Sequence, residues 1–343
     1  MKSRPSEASL RRGRLRALKP PRYREFGYYA FGLKAGALNL LRNGFRAGFR
    51  ATASAVLQPV NSYTRFPEYF FLEESVAAAV RARGGERPLA VLDVGSPKLA
   101  GLYLAARYPV RLTATDISPL AVAPYERMWR AAGKKSRGEI EFELRDARRL
   151  ADPDAAYDLA YALSVLEHVE GPEADTAAAV EMLRVLEPGG TIVLSVPYGP
   201  RYVEQTIAGV AHAVERVRLD ERFFFQRIYD RPHIEKNFIE PLSAAADVRK
   251  IVTVRRRESW TAAAASALRG GLPESLMTSL GFLNPFLSRM INRHDEGLAG
   301  NPAGAYGPVH SFGDVYGDVI LVFDKRPTLR TESGAAGRRT ENR

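Results

Sequence analysis

Cysteine is absent from the 343 residues. Its absence excludes disulfides, cysteine-ligated zinc or iron–sulfur centres, and a cysteine nucleophile. Long apolar runs are missing too: nothing approaches the roughly 18 consecutive apolar residues of a membrane-spanning helix. Histidine is scarce, five in all, and none sits with carboxylates at the spacing of a catalytic metal site, so no metal requirement is expected. No internal repeat is visible. Acids are nearly missing from the first 50 residues, where Glu7 and Glu25 face 13 lysines and arginines. That excess of 11 equals the net charge of the whole chain, and the remainder balances at 37 basic and 37 acidic residues. The basic character therefore belongs to an N-terminal arm, which weakens any case for a body shaped to nucleic acid.

What is present reads as an ordinary globular chain, 45% hydrophobic and 26% charged, long enough for one domain with large additions or for two. Residues 1–25 are expected to form a disordered basic arm. They lack the apolar core of a secretory signal, although an Arg-rich, acid-poor start is also the composition of a mitochondrial presequence. Residues 26–85 read as a helical extension. Leu38, Leu41, Phe45 and Phe49 share one helical stripe, flanked by Arg42, Arg46 and Arg50. Such a stripe can rest in an anionic membrane interface or pack on the body with its arginines outward, and the second reading is preferred. Tyr63, Phe66, Tyr69 and Phe70 then precede a helix, as lid aromatics or core.

The chain is organised around residues 89–101, LAVLDVGSPKLAG. A short apolar run stopped by Gly95 suits a buried parallel strand, and Pro97 is placed to open a helix. Strand, glycine turn and helix let a nucleotide approach bare backbone, although an ordinary βα unit has the same pattern. Residues 110–116 (VRLTATD) form a second strand that ends in Asp116, an acid suited to ribose hydroxyls. Strand candidates follow at 139–144, 157–165 and 191–196, with a helix over 176–186 and a turn at 187–190 between the last two. Strands alternating with helices at this spacing mean a parallel sheet.

In order, VLDVGS, TATDIS, RDARRL, YDLAYALSVLEHV and LRVLEPGGTIVLSVP resemble the class I S-adenosylmethionine-dependent methyltransferases, within the small-molecule group that carries an EHV-type segment. The likeness covers about residues 89–200. It implies an α/β fold: a doubly wound, mostly parallel, seven-stranded Rossmann-like sheet over 86–327, with an insertion at 258–315 and a disordered tail at 328–343. It also implies S-adenosylmethionine as cofactor. Asp93 would order the first loop, Gly95 allow close approach, and Asp116 with Ile117 meet the ribose side. Asp146 and the Ala147 amide would meet adenine, and Ser164 and Leu166 would lie along the cofactor. The family's usual GxGxG is altered here to Gly95-Ser-Pro-Lys-Leu-Ala-Gly101. Ser96 and Lys98 could offer a hydroxyl and a cation to the methionine carboxylate instead. Without cysteine, two methyltransferase routes are closed, a cysteine attack on a pyrimidine and radical chemistry on an iron–sulfur cluster.

Beyond the fifth strand, residues 197–202 form a loop at the carboxyl edge and 203–217 read as a helix. Residues 222–233 are dense in aromatics and cations, and Tyr198, Arg227, Tyr229 and Arg231 are candidate acceptor-binding residues. Strands at 247–257 and 316–325 would complete the antiparallel end of the sheet. In the insertion, helices are expected near 261–268 and 273–293; their apolar face could wall a lipophilic substrate pocket, contact a partner, or pack as a small subdomain. His168 and His233 are the candidate bases, and bracing of the following helix is an equal reading for His168. The expected function is methyl transfer to an O, N or C atom of a small molecule, in a cytoplasmic protein with possible peripheral contact between its arm and anionic membrane. The alternatives are an RNA or protein methyltransferase, or an inactive module binding a membrane or protein partner. SVLEH after strand four, in place of Asn/Asp-Pro-Pro-aromatic, speaks against exocyclic base amines.

Overall fold

The computed structural model describes residues 24–43, 65–84, 87–132, 136–208, 222–256, 292–296 and 317–327. In chain order these form α1 (Arg24–Asn43), α2 (Arg65–Ala82), β1 (Leu89–Val94), α3 (Lys98–Arg107), β2 (Val110–Asp116), α4 (Pro119–Ala132), β3 (Glu139–Leu144), β4 (Tyr157–Leu163), α5 (Ala174–Arg184) and β5 (Leu186–Pro197). Then come β6 (Val203–Ala208), β7 (Arg222–Ile228), α6 (Arg231–Ile234), β8 (Ala246–Arg256), β9 (Asn292–Glu296) and β10 (Gly317–Lys325).

One sheet runs β3-β2-β1-β4-β5-β10-β8-β9. The first five strands pair in parallel, while β10 is antiparallel to both β5 and β8. Seven strands thus form the doubly wound sheet, and β9, from within the stretch read as an insertion, adds an eighth at the edge. Helices cover both faces, which is why the strands read as nearly unbroken apolar runs. One face packs Leu92, Ala160 and Leu194 beneath Met182 and Phe238. The other packs Val91, Leu112 and Tyr161 beneath Tyr28, Phe71 and Leu104.

The N-terminal extension docks on this second face, but not by the stripe expected of it. Tyr28 stacks on Tyr103 with ring centroids 3.7 Å apart and donates to the Tyr69 carbonyl. Phe31 and Ala35 continue the contact, while Leu41 is 83% exposed. The small Gly32 and Gly36 face inward beside these residues, so the close-packing side of the helix, and not its leucine side, meets α3 and α4. Arg42 donates to the Ala131 carbonyl. Phe45, Phe49, Arg46 and Arg50 lie outside the described residues, as does most of the arm. α2 is tied down by Glu73, which accepts from the Tyr108 hydroxyl, and by a Glu74–Lys250 pair; Tyr69 and Phe70 join the core.

The helix expected over 203–217 is instead strand at its start. Val203–Ala208 pairs antiparallel with β7, and residues 209–217 lie outside the described residues. Val203, Thr206 and Ile207 are β-branched, and the partner strand carries three successive phenylalanines, so cross-strand packing outweighs helix propensity here. The helix expected over 273–293 ends as strand at Asn292 and Arg293; its remainder, and 261–268, lie outside the described residues. The helix after β4 is Ala174–Arg184, and the 187–190 turn is drawn into β5.

Arg227 fastens the β6–β7 hairpin to the body. It is 4% exposed, donates through Nη1 and Nη2 to the Val169 and Gly171 carbonyls at 2.7 Å each, and reaches Glu204 through Nε. Arg231, by contrast, pairs with Glu235 one turn along a partly exposed helix. Arg227→Ala is expected to lower stability by about 2–4 kcal/mol in urea unfolding, because the carbonyls of half-buried Val169 and Gly171 lose their donor. Arg231→Ala should stay within about 0.5 kcal/mol; equal effects of the two would refute the anchoring role of Arg227.

Candidate active site

The carboxyl edge of β1 turns sharply at Gly95, whose φ is +66°. A Cβ there would be strained and would also stand 2.6 Å from Cγ1 of Val165, so only glycine serves. The turn is held from below. Asp93 accepts from the Ser96 amide at 3.0 Å and from Lys98 Nζ at 3.4 Å. Lys98 donates to the Thr115 carbonyl at 2.7 Å, and the Ser96 hydroxyl accepts from the Leu163 amide at 2.8 Å. Burial pushes the Asp93 carboxyl above its ordinary pKa; Lys98, the Ser96 amide and Tyr161 act against that rise.

This arrangement revises the expectation for Ser96 and Lys98. Both side chains turn inward, Lys98 to 2% exposure, and their polar atoms bind β1, β2 and β4, not a ligand above the loop. In the places of the family's second and third glycines stand Pro97, half-buried at the turn, and Leu99, buried in α3. Gly101 lies deeper, where a Cβ would approach the Tyr161 hydroxyl and Leu112.

At the end of β2, Asp116 accepts from the Ser118 amide through Oδ1, and its Oδ2 lies 4.0 Å from Lys98 Nζ. Beside it Ile117 is 72% exposed, an apolar side chain at the sheet edge with no core to fill. After β3, Asp146 is paired with Arg148, whose guanidinium and amide lower the carboxyl pKa. Ala147 packs at the margin of the core.

β4 ends in a second unusual backbone position. Ser164 is non-glycine yet has φ +49°, a conformation that persists only when its surroundings hold it. Leu166 follows, buried in a short 3₁₀ turn. His168 closes that turn, with Nδ1 2.6 Å from the Phe225 carbonyl. A carbonyl only accepts, so Nδ1 carries the proton and Nε2 is left with its lone pair. The Glu167 carboxylate lies 3.8 Å from Nε2.

The acceptor candidates divide. Arg227 is taken up by backbone carbonyls as described above, and Arg231 by Glu235. Tyr229 is buried and donates to Asp175 at 2.7 Å; burial, with Asp175 beside it, holds its pKa well above the ordinary value. Tyr198 bridges to Tyr229 within the core. Arg227, Tyr229 and Tyr198 are structural supports of the edge, whereas Arg231 pairs along its own partly exposed helix. His233 stays partly exposed, with Nδ1 2.6 Å from Asp230 and its ring stacked on Tyr202 at 3.9 Å. Burial and neighbouring Glu204 push the Tyr202 hydroxyl up to about 12.

One residue escaped the sequence reading. Glu68 of α2 is 0% exposed, and its Oε1 accepts from the Ser164 hydroxyl at 2.6 Å and the Ser195 hydroxyl at 2.7 Å. The available signal was a single acid in the aromatic run Phe66-Pro67-Glu68-Tyr69-Phe70.

The site's donor set suits an adenosine-bearing cofactor. A left-handed glycine turn, the half-buried Asp116 carboxylate and the exposed Ile117 side chain lie along one edge, with Val165 packed on Gly95. Residues 92–194 match the family model described as methyltransferase domain. Over 171 residues the chain is 27% identical to ajmaline N-methyltransferase of Rauvolfia serpentina, covering 49% of each chain. Over 210 residues it is 28% identical to 27-O-demethylrifamycin SV methyltransferase of Amycolatopsis mediterranei, covering 56% of this chain and 66% of the relative. The chain thus spans about half to two thirds of the length of these relatives. A solved S-adenosylmethionine-dependent methyltransferase from Methanosarcina mazei aligns with 73% of this chain and 98% of its own, at 17% identity and a TM-score of 0.43. With the ordered motifs and the β3-β2-β1-β4-β5-β10-β8 sheet, the match over residues 92–194 marks that stretch as a methyltransferase domain with the class I sheet order.

Proposed function

We propose that the chain transfers a methyl group from S-adenosylmethionine to a nitrogen, oxygen or carbon atom of a small-molecule acceptor. The observation that carries this reading is the pairing of the left-handed Gly95 turn with the Asp116 carboxylate at the neighbouring strand end. Asp116 would accept from the ribose hydroxyls, Ile117 would lie against adenine, and the Asp146–Ala147 segment would meet its edge. Gly95, Ser164 and Leu166 would border the methionine end. When bound, the cofactor supplies an electrophilic methyl carbon on a sulfonium. The two relatives are named for an ajmaline N-methylation and for a 27-O-demethyl compound, which supports a small-molecule acceptor bearing a nitrogen or oxygen nucleophile.

The chain's own contribution is placement and proton removal. Because Nδ1 of His168 donates to the Phe225 carbonyl, Nε2 is the atom that can take a proton from the acceptor. Once Nε2 is protonated, Glu167 at 3.8 Å favours the resulting imidazolium. His233, oriented by Asp230, is the second base in reach of solvent.

Asp116→Ala should weaken S-adenosylmethionine binding by about 1–3 kcal/mol in titration calorimetry, through loss of charge-assisted hydrogen bonds. Unchanged affinity would remove Asp116 from the site. His168→Ala should lower kcat by about 10²–10⁴-fold and abolish the acid limb of the pH–rate profile, with cofactor affinity intact. Turnover is read as S-adenosylhomocysteine formation with amine and hydroxyl acceptors. If His233→Ala alone produces that pattern, the base is His233.

A further inference from the structure

Three elements meet at Glu68: α2 from the N-terminal extension, and the carboxyl ends of β4 and β5. The Ser164 and Ser195 hydroxyls both donate to one oxygen of the same enclosed carboxylate. Ser195 Oγ also accepts from the Ser164 amide at 3.0 Å, which closes a ring of three side chains around one backbone position. That position is left-handed, where glycine or asparagine is the usual choice. The hydroxyl explains why serine stands there, since it supplies the donor that ties the strained residue to the carboxylate. The next residue, Val165, lies over Gly95. The direction in which the chain leaves Ser164 therefore sets the separation of the β1 turn from the β4 end.

We propose that Glu68 is a positioning residue for cofactor binding: through Ser164 and Ser195 it holds the left-handed turn after β4, and thereby fixes where Val165 packs against the Gly95 turn. The inference rests on the reading of the Gly95 turn as part of the cofactor site. It assigns the N-terminal extension, which lies outside the matched residues 92–194, a part in building the site. α2 keeps separate attachments through Glu73 to Tyr108 and Glu74 to Lys250, so loss of the Glu68 carboxylate acts locally and need not undock the helix.

The test is calorimetric titration of the full chain with S-adenosylmethionine and S-adenosylhomocysteine, with thermal melts run alongside. Glu68→Ala should weaken binding of both by about tenfold or more, and Glu68→Gln, whose amide oxygen can still accept both hydroxyls, should stay within about threefold of the parent. In a Ser164→Gly background, which suits the left-handed backbone but lacks the hydroxyl, adding Glu68→Ala should cost less than about twofold, the non-additivity of two residues acting as one. A lower melting temperature with parental affinity makes Glu68 merely structural and overturns the proposal. So does equal loss in the Gln and Ala variants, or a full loss on adding Glu68→Ala to Ser164→Gly. A parent chain that binds neither compound overturns the functional reading and this inference together; a binding parent matched by Glu68→Ala overturns this inference alone.

Discussion

The enclosed Asp93 carboxylate is the interaction on which the carboxyl edge of the central strands depends. A carboxylate inside a sheet is costly unless hydrogen-bonded and paired. Asp93 receives both the Ser96 amide and the Lys98 ammonium. The same ammonium reaches the Thr115 carbonyl and approaches Asp116, so one buried lysine joins β1, the loop and β2. Ser96 adds the link to β4. The Gly95 turn is thus supported from three strands, with the polar ends of Ser96 and Lys98 turned inward and Val165 packed on Gly95.

The carboxyl edge beyond this turn is closed by parts that lie outside the matched core. Arg227 joins the β6–β7 hairpin to the loop that follows His168, and the Phe225 carbonyl sets the tautomer of that histidine. A buried cluster of Asp175, Tyr229 and Asn237 supports the same region from below. Asn237 lies in a π-helical turn, Glu235–Ile239, and its amide donates to Asp175 at 3.0 Å. From the opposite side α2 inserts Glu68. The hairpin and the extension accordingly hold the carboxyl edge of the sheet from two sides.

Much of this was legible in the chain. The strand order followed from short apolar runs alternating with helical segments, and the edge residues Gly95, Asp116 and Asp146 stood at the ends of recognisable strands. Local pattern misled where the partner decided the structure. VEQTIA suits a helix in isolation and became strand because the phenylalanine-rich β7 lies beside it. Arg227 and Tyr229 had the composition of a ligand pocket, yet the register directs them to Val169, Gly171 and Asp175.

By itself the sequence determined the class of fold, the central strands and the places where the chain turns at the sheet edge. These depend on apolar periodicity, on glycine and on neighbours close along the chain. Only the tertiary structure decided which polar side chains stand at the sheet edge and which hold it up. Glu68 stands 96 residues from Ser164 and 127 from Ser195, and Lys98 meets the Thr115 carbonyl 17 residues away. A hydrogen bond is set by atomic distance and angle, and no spacing along the chain expresses either for residues brought together only by packing.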